Sequence, residues 1–568
     1  MPTLNRSHNL GQFQAPVDAA LIDIAHRRLL ERIWKKDHRV WKSTPVEITN
    51  RLGWLTVAEQ MQERAGVLKH FAQSVREAGF RYVVLLGMGG SSLGPEVLRQ
   101  TFGVSRGFLK PFVLDSTVPG AIRDVHDAIE PARTLFIVSS KSGGTIEVMS
   151  LFAYFWEVVA RARGNSGGNQ FIAITDPDTS LGTLAHDRGF RTTFINPSDI
   201  GGRYSVLSYF GLVPAALMGV DVEKLLERAI EMTRLCCPTV APQHNPGAFL
   251  GAVMGILGQA GHDKVTLITS PTIQSFGLWA EQLIAESTGK EGTGLIPVAQ
   301  EPIVPPSAYG PDRLFVALRL DGDANEKVDR HVTALKRAGH PVVQLRLRDC
   351  FDLGAEFFRW ELATAIAGHY LGIHPFDQPN VQESKDNTKR ILEQFQREGH
   401  LPAIEHNSTL EELCAQIKPG DYAAVLAYLR PSAKIDAALK AFRKRLVVRY
   451  RIATTAGYGP RYLHSTGQLH KGGPSHGVFL VLTEPPSRDL KIPGAAYTFG
   501  TLAQAQAVGD VQSLQSHGCR VAQISLGKQA ALHIKGLLTR EKPGSRKQKQ
   551  AKPKRERSRG RRARHSHR

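Results

Sequence analysis

The sequence predicts an α/β protein in which parallel sheets are flanked by helices, and three observations support that prediction. From residue 81 onward, short apolar runs of the length of buried strands alternate with longer segments of helical periodicity. The alternation reaches an apolar helical segment at 207–219 and begins again at 264. Glycine-rich segments at 87–96 and 139–147 stand where an apolar run passes into a helical one. Short strands separated by helices indicate two units of one architecture.

The elements follow in order along the chain. Residues 1–80 are predicted to be helical, because 56–80 carries apolar residues at helical spacing. The first unit has five predicted strands, at 83–86, 111–115, 134–138, 171–175 and 192–196. The second unit has three predicted strands, at 264–269, 313–320 and 341–347, and a predicted helix at 356–373 follows them. A last set of strands is predicted at 422–429, 446–453, 477–483 and 520–526. These strands either complete the second sheet or form their own domain.

The predicted units are a helical N-terminal segment at 1–80, two α/β domains at 81–245 and 246–400, a C-terminal α/β segment at 401–535 and a basic tail at 536–568. The net charge is +20, but residues 541–568 alone carry 13 Lys and Arg against 2 Glu. This stretch has no large apolar residue and is expected to be disordered. It either binds polyanions weakly and salt-dependently or is a solvated extension without a dedicated partner.

Composition predicts a cytoplasmic protein. No apolar run approaches the ~20 residues that a membrane span needs, and the first residues lack the continuous apolar stretch of a secretory signal. The five cysteines show no metal-binding spacing, and the adjacent Cys236 and Cys237 would form a strained bridge. Reduced thiols are therefore expected.

The two glycine-rich segments predict a site for a small phosphorylated anion. Glycines allow backbone amides to turn toward one point, and a helix N-terminus adds partial positive charge there. The segments also contain hydroxyls and one cation, from Ser91, Ser140, Ser142, Thr145 and Lys141.

Two nucleotide-binding motifs fit these segments poorly. A dinucleotide fingerprint has Gly or Ala where this chain has Ser92, although Asp115 could serve as the ribose-binding acid, so a nicotinamide cofactor stays open. A P-loop needs Gly-Lys-Ser/Thr, and the order here is Ser-Lys-Ser-Gly-Gly-Thr. For either segment alone, a tight turn without a ligand is the alternative.

Glu286, with Gln282 beside it, and Arg203 are further candidates for chemistry. Glu286 ends a helical pattern that begins near Phe276, and Gln282 lies on the same helical face, so a partly desolvated Glu286 could act as a general base. Arg203 in GGRYS could bind a phosphate or a developing oxyanion. An exposed helix acid and a surface ion pair are the respective alternatives.

Two polar segments lie further along the chain. HPFDQPNVQESK contains Lys385 after a Pro-rich turn, and LHSTGQLHKGGP contains His464, which could titrate near neutral pH. No group of His, Cys or Asp has a recognised metal-binding spacing, so no metal is expected.

Taken together, six motifs resemble those of the phosphoglucose isomerase family: GMGGSSLGP, SSKSGGT, GGRYS, AESTGK, PFDQPNVQESK and LHSTGQ, spread over 87–468. The chain is most similar to the isomerase portion of bacterial bifunctional transaldolase/phosphoglucose isomerase proteins. The resemblance implies two sugar-isomerase (SIS) domains, each a parallel sheet flanked by helices. It also implies interconversion of glucose 6-phosphate and fructose 6-phosphate, a step of glycolysis and gluconeogenesis, without a metal or organic cofactor.

The resemblance also assigns roles to residues of this chain. It implies that Glu286 moves a proton between C1 and C2, that Arg203 stabilises the enediolate and that Lys385 and His464 open the ring. The implied substrate-binding set comprises Gly90, Ser91, Ser140, Lys141, Ser142, Thr145 and Gln282. Ser142 replaces the usual threonine of the phosphate loop.

One feature departs from the family's order. The family's ring-opening histidine lies between the glutamate and the lysine, whereas His464 follows Lys385. Either the segment is permuted and reaches the same pocket, or His464 is not the ring-opening group. In many relatives this histidine crosses a dimer interface, so a homodimer is possible here.

Two other functions stay open at this level. A non-catalytic sugar-phosphate sensor would keep the phosphate loop but would not need Glu286, Arg203 and Lys385 together. An isomerase that also accepts mannose 6-phosphate is the second alternative, and Thr288 lies near a position that varies among such relatives.

Overall fold

The computed structural model describes residues 6–404, 407–485, 488–527 and 529–538. The predicted α/β fold is confirmed, and most of the predicted basic tail lies outside these residues. Within the described ranges, the strands form three sheets. The strands are β1 Arg6–Asn9, β2 Tyr82–Gly87, β3 Lys110–Leu114, β4 Thr134–Ser139, β5 Phe171–Thr175, β6 Thr192–Ile195, β7 Lys264–Thr269, β8 Ile296–Val298, β9 Arg313–Leu320, β10 Val342–Leu347, β11 Tyr422–Tyr428, β12 Ala453–Tyr458, β13 Gly477–Thr483 and β14 Arg520–Ser525.

Helices cover the faces of these sheets. In chain order they are α1 Gln14–His26, α2 Leu29–Trp34, α3 Val57–Gln62, α4 Ala65–Glu77, α5 Leu93–Phe102, α6 Pro119–Ala128, α7 Ile146–Arg163, α8 Ser180–Asp187, α9 Tyr209–Leu217, α10 Val222–Leu235, α11 Pro246–Gln259, α12 Phe276–Thr288, α13 Glu326–Arg337, α14 Asp352–Leu371, α15 Pro379–Glu398, α16 Leu410–Ala415, α17 Ala433–Tyr450, α18 Gly467–Gly472, α19 Phe499–Ser516 and α20 Ala530–Gly536. Among the described residues, none of these helices is long and apolar enough to cross a membrane.

The first sheet contains all five strands predicted for it. Its order is β3-β2-β4-β5-β6 and every pairing is parallel. Every residue of the central strand β4 is buried, as expected for a sheet that is covered on both faces by helices.

The second sheet has two strands that the sequence did not predict. Its order is β1-β10-β9-β7-β8, and only β1 runs antiparallel to its neighbour. The prediction of an entirely helical 1–80 is therefore wrong at β1. This four-residue polar segment becomes a strand because it pairs with the edge of β10, a long-range contact that leaves no local periodicity in the sequence.

The last four strands form a separate parallel sheet in the order β12-β11-β13-β14, which answers the question that the sequence left open. The predicted strand at 446–453 is wrong, since 446–450 is the end of α17 and the strand begins at Ala453. The β-branched pair Val447–Val448 suggested a strand. Buried positions along α17 instead follow helical spacing, at Ile435, Ala438, Leu439, Phe442 and Leu446.

All three sheets share one strand order. In each, the first strand of the unit lies between the second and the third, as in β3-β2-β4, β8-β7-β9 and β12-β11-β13. In such sheets a crevice opens at the carboxyl ends of the two strands from which the chain departs in opposite directions, and ligands bind there. The molecule therefore has three equivalent crevices, between β2 and β4, between β7 and β9, and between β11 and β13.

Candidate active site

The two glycine-rich segments meet in the crevice of the first sheet. Gly87 at the end of β2 is in register with Ser139 at the end of β4, so the loops that follow lie side by side. Gly89 has a φ of +55° and Gly143 a φ of +73°, conformations that favour glycine. This arrangement agrees with the predicted anion site.

The first glycine loop, 87–92, also has two other segments packed against it. A Cβ on Gly89 would lie 2.7 Å from the carbonyl oxygen of His464, and a Cβ on Gly90 would lie 1.9 Å from that of Gly202. Both positions therefore need glycine, because any side chain would collide with backbone. The close approach brings the GGRYS and LHSTGQ segments to the same crevice, and Ser91 is buried beside them.

The second loop supplies the predicted phosphate-binding groups. Ser140 Oγ and Thr145 Oγ1 are 3.0 Å apart, and Thr145 directly precedes the 18-residue helix α7. Ser142 is exposed. The Lys141 ammonium pairs with Asp176, and burial raises the pKa of that carboxyl while Lys141 opposes the rise. The loop therefore combines hydroxyls, a cation and a helix N-terminus at one edge of the sheet.

Glu286 lies in the last turn of α12 with only 9% of its side chain exposed. The amide nitrogen of Gln282, one turn earlier, donates to Glu286 Oε2 at 3.0 Å and to the carbonyl oxygen of His464 at 2.9 Å. The predicted helix and the shared face are both confirmed. The alternative of an exposed helix acid does not hold.

Arg203 lies beside this carboxylate and is 2% exposed. Its Nη1 is 3.6 Å from Glu286 Oε1, so the alternative of a surface ion pair does not hold either. Four further hydrogen bonds fix its planar group, to Ser287 Oγ at 2.8 Å, Gln378 Oε1 at 2.7 Å and the carbonyl oxygens of Pro375 at 2.8 Å and Asp377 at 3.0 Å. The PFDQP segment, residues 375–379, therefore fixes the position of the Arg203 side chain.

His464 reaches the site from the C-terminal unit of the same chain. It lies in a 3-10 turn, Arg461–His464, that follows β12, and its backbone is the acceptor for Gln282. Its Nε2 is 2.9 Å from Glu147 Oε1. Although His464 follows Lys385 in the chain, its side chain lies next to the crevice of the first sheet.

Glu147 is a site residue that the sequence analysis missed. It is 3% exposed in the first turn of α7 and also accepts from Gln506 Nε2 at 2.7 Å. Burial raises the pKa of this carboxyl, but the charges of His464 and Lys385 and the hydrogen bond from His464 outweigh burial and lower it. The signal in the sequence was an acid two residues after Thr145 on the buried face of α7.

Lys385 is the one predicted catalytic residue without a direct contact in the site. It lies on α15 and is exposed, and within the described residues it makes no hydrogen bond or ion pair. Its charge contributes to the lowering of the pKa of Glu147.

A buried lysine near the site was not predicted. Lys290 is 2% exposed, and its ammonium is 2.6 Å from Asp377 Oδ1 and 2.7 Å from the Asp377 carbonyl oxygen. Burial lowers the pKa of Lys290 to about 7, against the raising effect of Asp377. Lys290 and Arg203 therefore converge on one turn and tie the end of α12 to it.

No group of three or more His, Cys, Asp or Glu that could hold a metal ion occurs in the part of the chain that the structure describes. The chemistry available at the site is that of a carboxylate base, an arginine and a histidine next to an anion-binding loop.

Comparison with known proteins gives consistent matches. The family profile described as Phosphoglucose isomerase matches residues 39–295. A glucose-6-phosphate isomerase from Rubrobacter xylanophilus is 31% identical over 365 residues, which span 55% of this chain and 83% of that protein. One from Carboxydothermus hydrogenoformans is 28% identical over 396 residues, 60% of this chain and 85% of that protein.

Solved structures show the same fold. A glucose-6-phosphate isomerase from Chlamydia trachomatis superposes with a TM-score of 0.59 at 19% identity, over 69% of this chain and 88% of that one. A hypothetical protein from Thermus thermophilus gives a TM-score of 0.58 at 23% identity, over 68% of this chain and 99% of that one.

Proposed function

This chain belongs to the phosphoglucose isomerase family, and we propose that it is a glucose-6-phosphate isomerase that interconverts glucose 6-phosphate and fructose 6-phosphate through a cis-enediolate. One observation carries the proposal. A buried carboxylate, Glu286, lies 3.6 Å from a buried arginine, Arg203, and both adjoin a crevice with an anion-binding loop. A base, a cation for the developing oxyanion and a phosphate anchor are what this reaction requires.

The phosphate is held at a distance from the reacting carbons. Ser140, Lys141, Ser142 and Thr145 receive it at the start of α7, where the helix N-terminus adds positive charge. Binding a group that does not react orients the sugar, so that C1 and C2 lie next to Glu286. Gly90 and Ser91 form the floor of the crevice.

Ring opening comes first. It requires a proton donor and a proton acceptor at the anomeric centre, and His464 and Lys385 take these roles. Glu147 holds the His464 ring by the contact at Nε2 and leaves the other nitrogen for substrate. Lys385 lies exposed on α15, and its role in ring opening rests on the resemblance of the PFDQPNVQESK segment to the family's motif.

Proton transfer between the carbons follows. Glu286 removes the proton at C2, which leaves an enediolate, and the same carboxyl returns the proton at C1. Arg203 offsets the negative charge on the enediolate oxygens, and its rigid hydrogen-bonded setting means that little reorganisation is needed. Gln282 donates to Glu286 and orients the carboxylate.

Mannose 6-phosphate is the remaining question of specificity. Thr288 does not line the crevice, since it is fully buried and its hydroxyl bonds the Ile284 carbonyl oxygen at 2.7 Å and the Leu295 amide at 2.9 Å. Any discrimination against the C2 epimer therefore comes from other residues. A sensor without catalysis is disfavoured because it has no use for the Glu286–Arg203 pair.

We also propose a cytoplasmic location, which the free thiols of Cys236, Cys237, Cys350 and Cys519 support. We further propose a homodimer, weak polyanion binding by residues 541–568 and a closer relationship to the bifunctional transaldolase proteins.

The test is a coupled assay on the purified chain. Fructose 6-phosphate is supplied, and glucose 6-phosphate is detected with a dehydrogenase, after the isomerase has been treated with a chelator. Turnover that is insensitive to the chelator supports the proposal, and an absence of turnover with a folded protein contradicts it. Mannose 6-phosphate in a parallel reaction tests the wider specificity.

Lys141→Ala is expected to raise the KM for fructose 6-phosphate by roughly tenfold or more and to change kcat little. The ammonium contacts the phosphate equally in the ground state and the transition state, and a charge-assisted hydrogen bond is worth about 1.5–3 kcal/mol. Steady-state kinetics measures the split. Lys110→Ala, an exposed lysine at the start of β3, is the control. An unchanged KM in Lys141→Ala would place the phosphate elsewhere.

Glu147→Gln is expected to lower kcat on cyclic substrate by roughly 10- to 100-fold, because a hydrogen bond to a charged group is worth about 1.5–3 kcal/mol. The pKa of Glu147 is lowered, so its stabilising contribution is present above the ordinary carboxyl pKa of 4.5 and is lost as the pH falls through the lower folded value. The wild type should therefore lose more stability than Glu147→Gln on acidification. Equal acid sensitivity of the two proteins in thermal melts would contradict the ion pair.

A further inference from the structure

The crevice of the C-terminal sheet has no assigned role. The three sheets share one strand order, so the crevices can be compared directly. In the first, the two glycine loops occupy the carboxyl ends of β2 and β4. In the second, side chains bridge the two strand ends, since Ser270 Oγ donates to Asn325 Oδ1 at 2.5 Å and accepts from the Leu320 amide at 2.7 Å, and a pocket of about 880 Å³ lies beside them. The third is open.

The third crevice is a pocket of about 1060 Å³. It lies where Tyr428 at the end of β11 is paired with Thr483 at the end of β13. Much of its wall is apolar, contributed by Pro119 at the start of α6, by Ala503 of α19 and by Leu532 of α20. Leu532, which lines the pocket, is 62% exposed.

Cationic side chains from separate elements line the same pocket. Arg123 lies on α6, Arg430 follows β11, and Lys434 lies in the first turn of α17. Arg430 pairs with Asp124. Within the described residues, neither Arg123 nor Lys434 has a carboxylate partner, and Arg123 donates instead to the Arg488 carbonyl oxygen. Glu484 also lines the pocket, and its Oε1 accepts from the Arg430 backbone amide at 3.0 Å, so the lining has more cations than carboxylates.

Two backbone features reinforce this positive character. Helix α17 is 18 residues long and begins at the pocket, and its cap Ser432 satisfies only the Ile435 amide through its side chain. Gly120 allows Arg430 to lie across the start of α6, since a Cβ there would be 2.8 Å from Arg430 Cδ. A helix N-terminus with adjacent cations favours a phosphate group.

We propose that this pocket, at the carboxyl ends of β11 and β13, binds a nucleotide, with its phosphates at Arg123 and Lys434 and its base against Pro119, Ala503 and Leu532. The apolar wall of the pocket suits the flat ring of a base, and the cationic side chains suit the phosphates. The position is the one at which open parallel sheets bind ligands. This site is separate from the hexose-phosphate site and does not depend on the proposed isomerase activity.

The experiment uses the full chain and measures binding of ADP by calorimetry, with adenosine and inorganic pyrophosphate as separate ligands. ADP is expected to bind one to one and more tightly than either part. The double variant Arg123→Met, Lys434→Met should weaken ADP binding by roughly tenfold, because it removes both cations proposed to bind the phosphates. Lys444→Met, an exposed lysine further along α17, is the matched control.

A second variant tests the apolar wall. Leu532→Ser should weaken ADP and leave pyrophosphate unchanged. Saturating fructose 6-phosphate should not displace ADP. The proposal fails if no ADP binding is measured, if ADP and pyrophosphate bind equally well, if the double variant binds ADP like the wild type, or if fructose 6-phosphate competes with ADP.

Discussion

Glu286→Gln is expected to lower kcat by roughly 10²- to 10⁴-fold, the usual contribution of a general base, while the KM for fructose 6-phosphate changes little. The amide has the same shape but cannot accept the proton from C2. It can still accept the hydrogen bond from Gln282, and the phosphate loop is untouched, so substrate binding should persist. Steady-state kinetics in both directions measures the effect.

The matched control is Glu281→Gln on the same helix. Glu281 is the neighbour of Gln282, and its carboxyl accepts only the Ala299 amide, at 3.3 Å, among the described hydrogen bonds. Burial raises the pKa of Glu281 to about 8, so the group is mostly neutral at pH 7 and an amide replaces it without loss of charge. Glu281→Gln should keep wild-type kcat. Activity of Glu286→Gln within about threefold of this control would remove Glu286 from the base role.

The parts of the site that the sequence predicted are those encoded locally. The two glycine loops follow directly from strand-to-helix boundaries, and the shared face of Gln282 and Glu286 follows from helical spacing. The five strands of the first sheet were found because buried parallel strands are continuous apolar runs. These features need no knowledge of the rest of the chain.

The parts that were missed depend on contacts between distant segments. Glu147 is a site residue because His464 lies more than 300 positions away in the chain yet 2.9 Å away in space. Lys290 is buried by a turn at Asp377. Strand β1 exists only as the partner of β10, and the strand misplaced at 446–453 had the right composition but the wrong periodicity. Composition and spacing do not encode such pairings.

The prediction with the next largest effect concerns His464. His464→Ala is expected to lower turnover of cyclic substrate by roughly 10²-fold or more, as for other proton-transfer groups. Glu286 and Arg203 do not hydrogen-bond the His464 ring, and Gln282 binds only its backbone carbonyl, which alanine retains. Proton exchange at carbon should therefore survive on the small fraction of open-chain sugar.

Heavy water separates the two steps. Exchange of the carbon-bound proton is followed by NMR, and overall isomerisation is followed by the coupled assay. His464→Ala should lose isomerisation of cyclic sugar far more than exchange from the open form, whereas Glu286→Gln should lose both together. His476→Ala, whose ring contacts Asp263 at 3.2 Å outside the site, should change neither. If His464→Ala loses both rates equally or keeps both, another group opens the ring, and the contact between His464 and Glu147 serves only to hold the C-terminal unit against the first sheet.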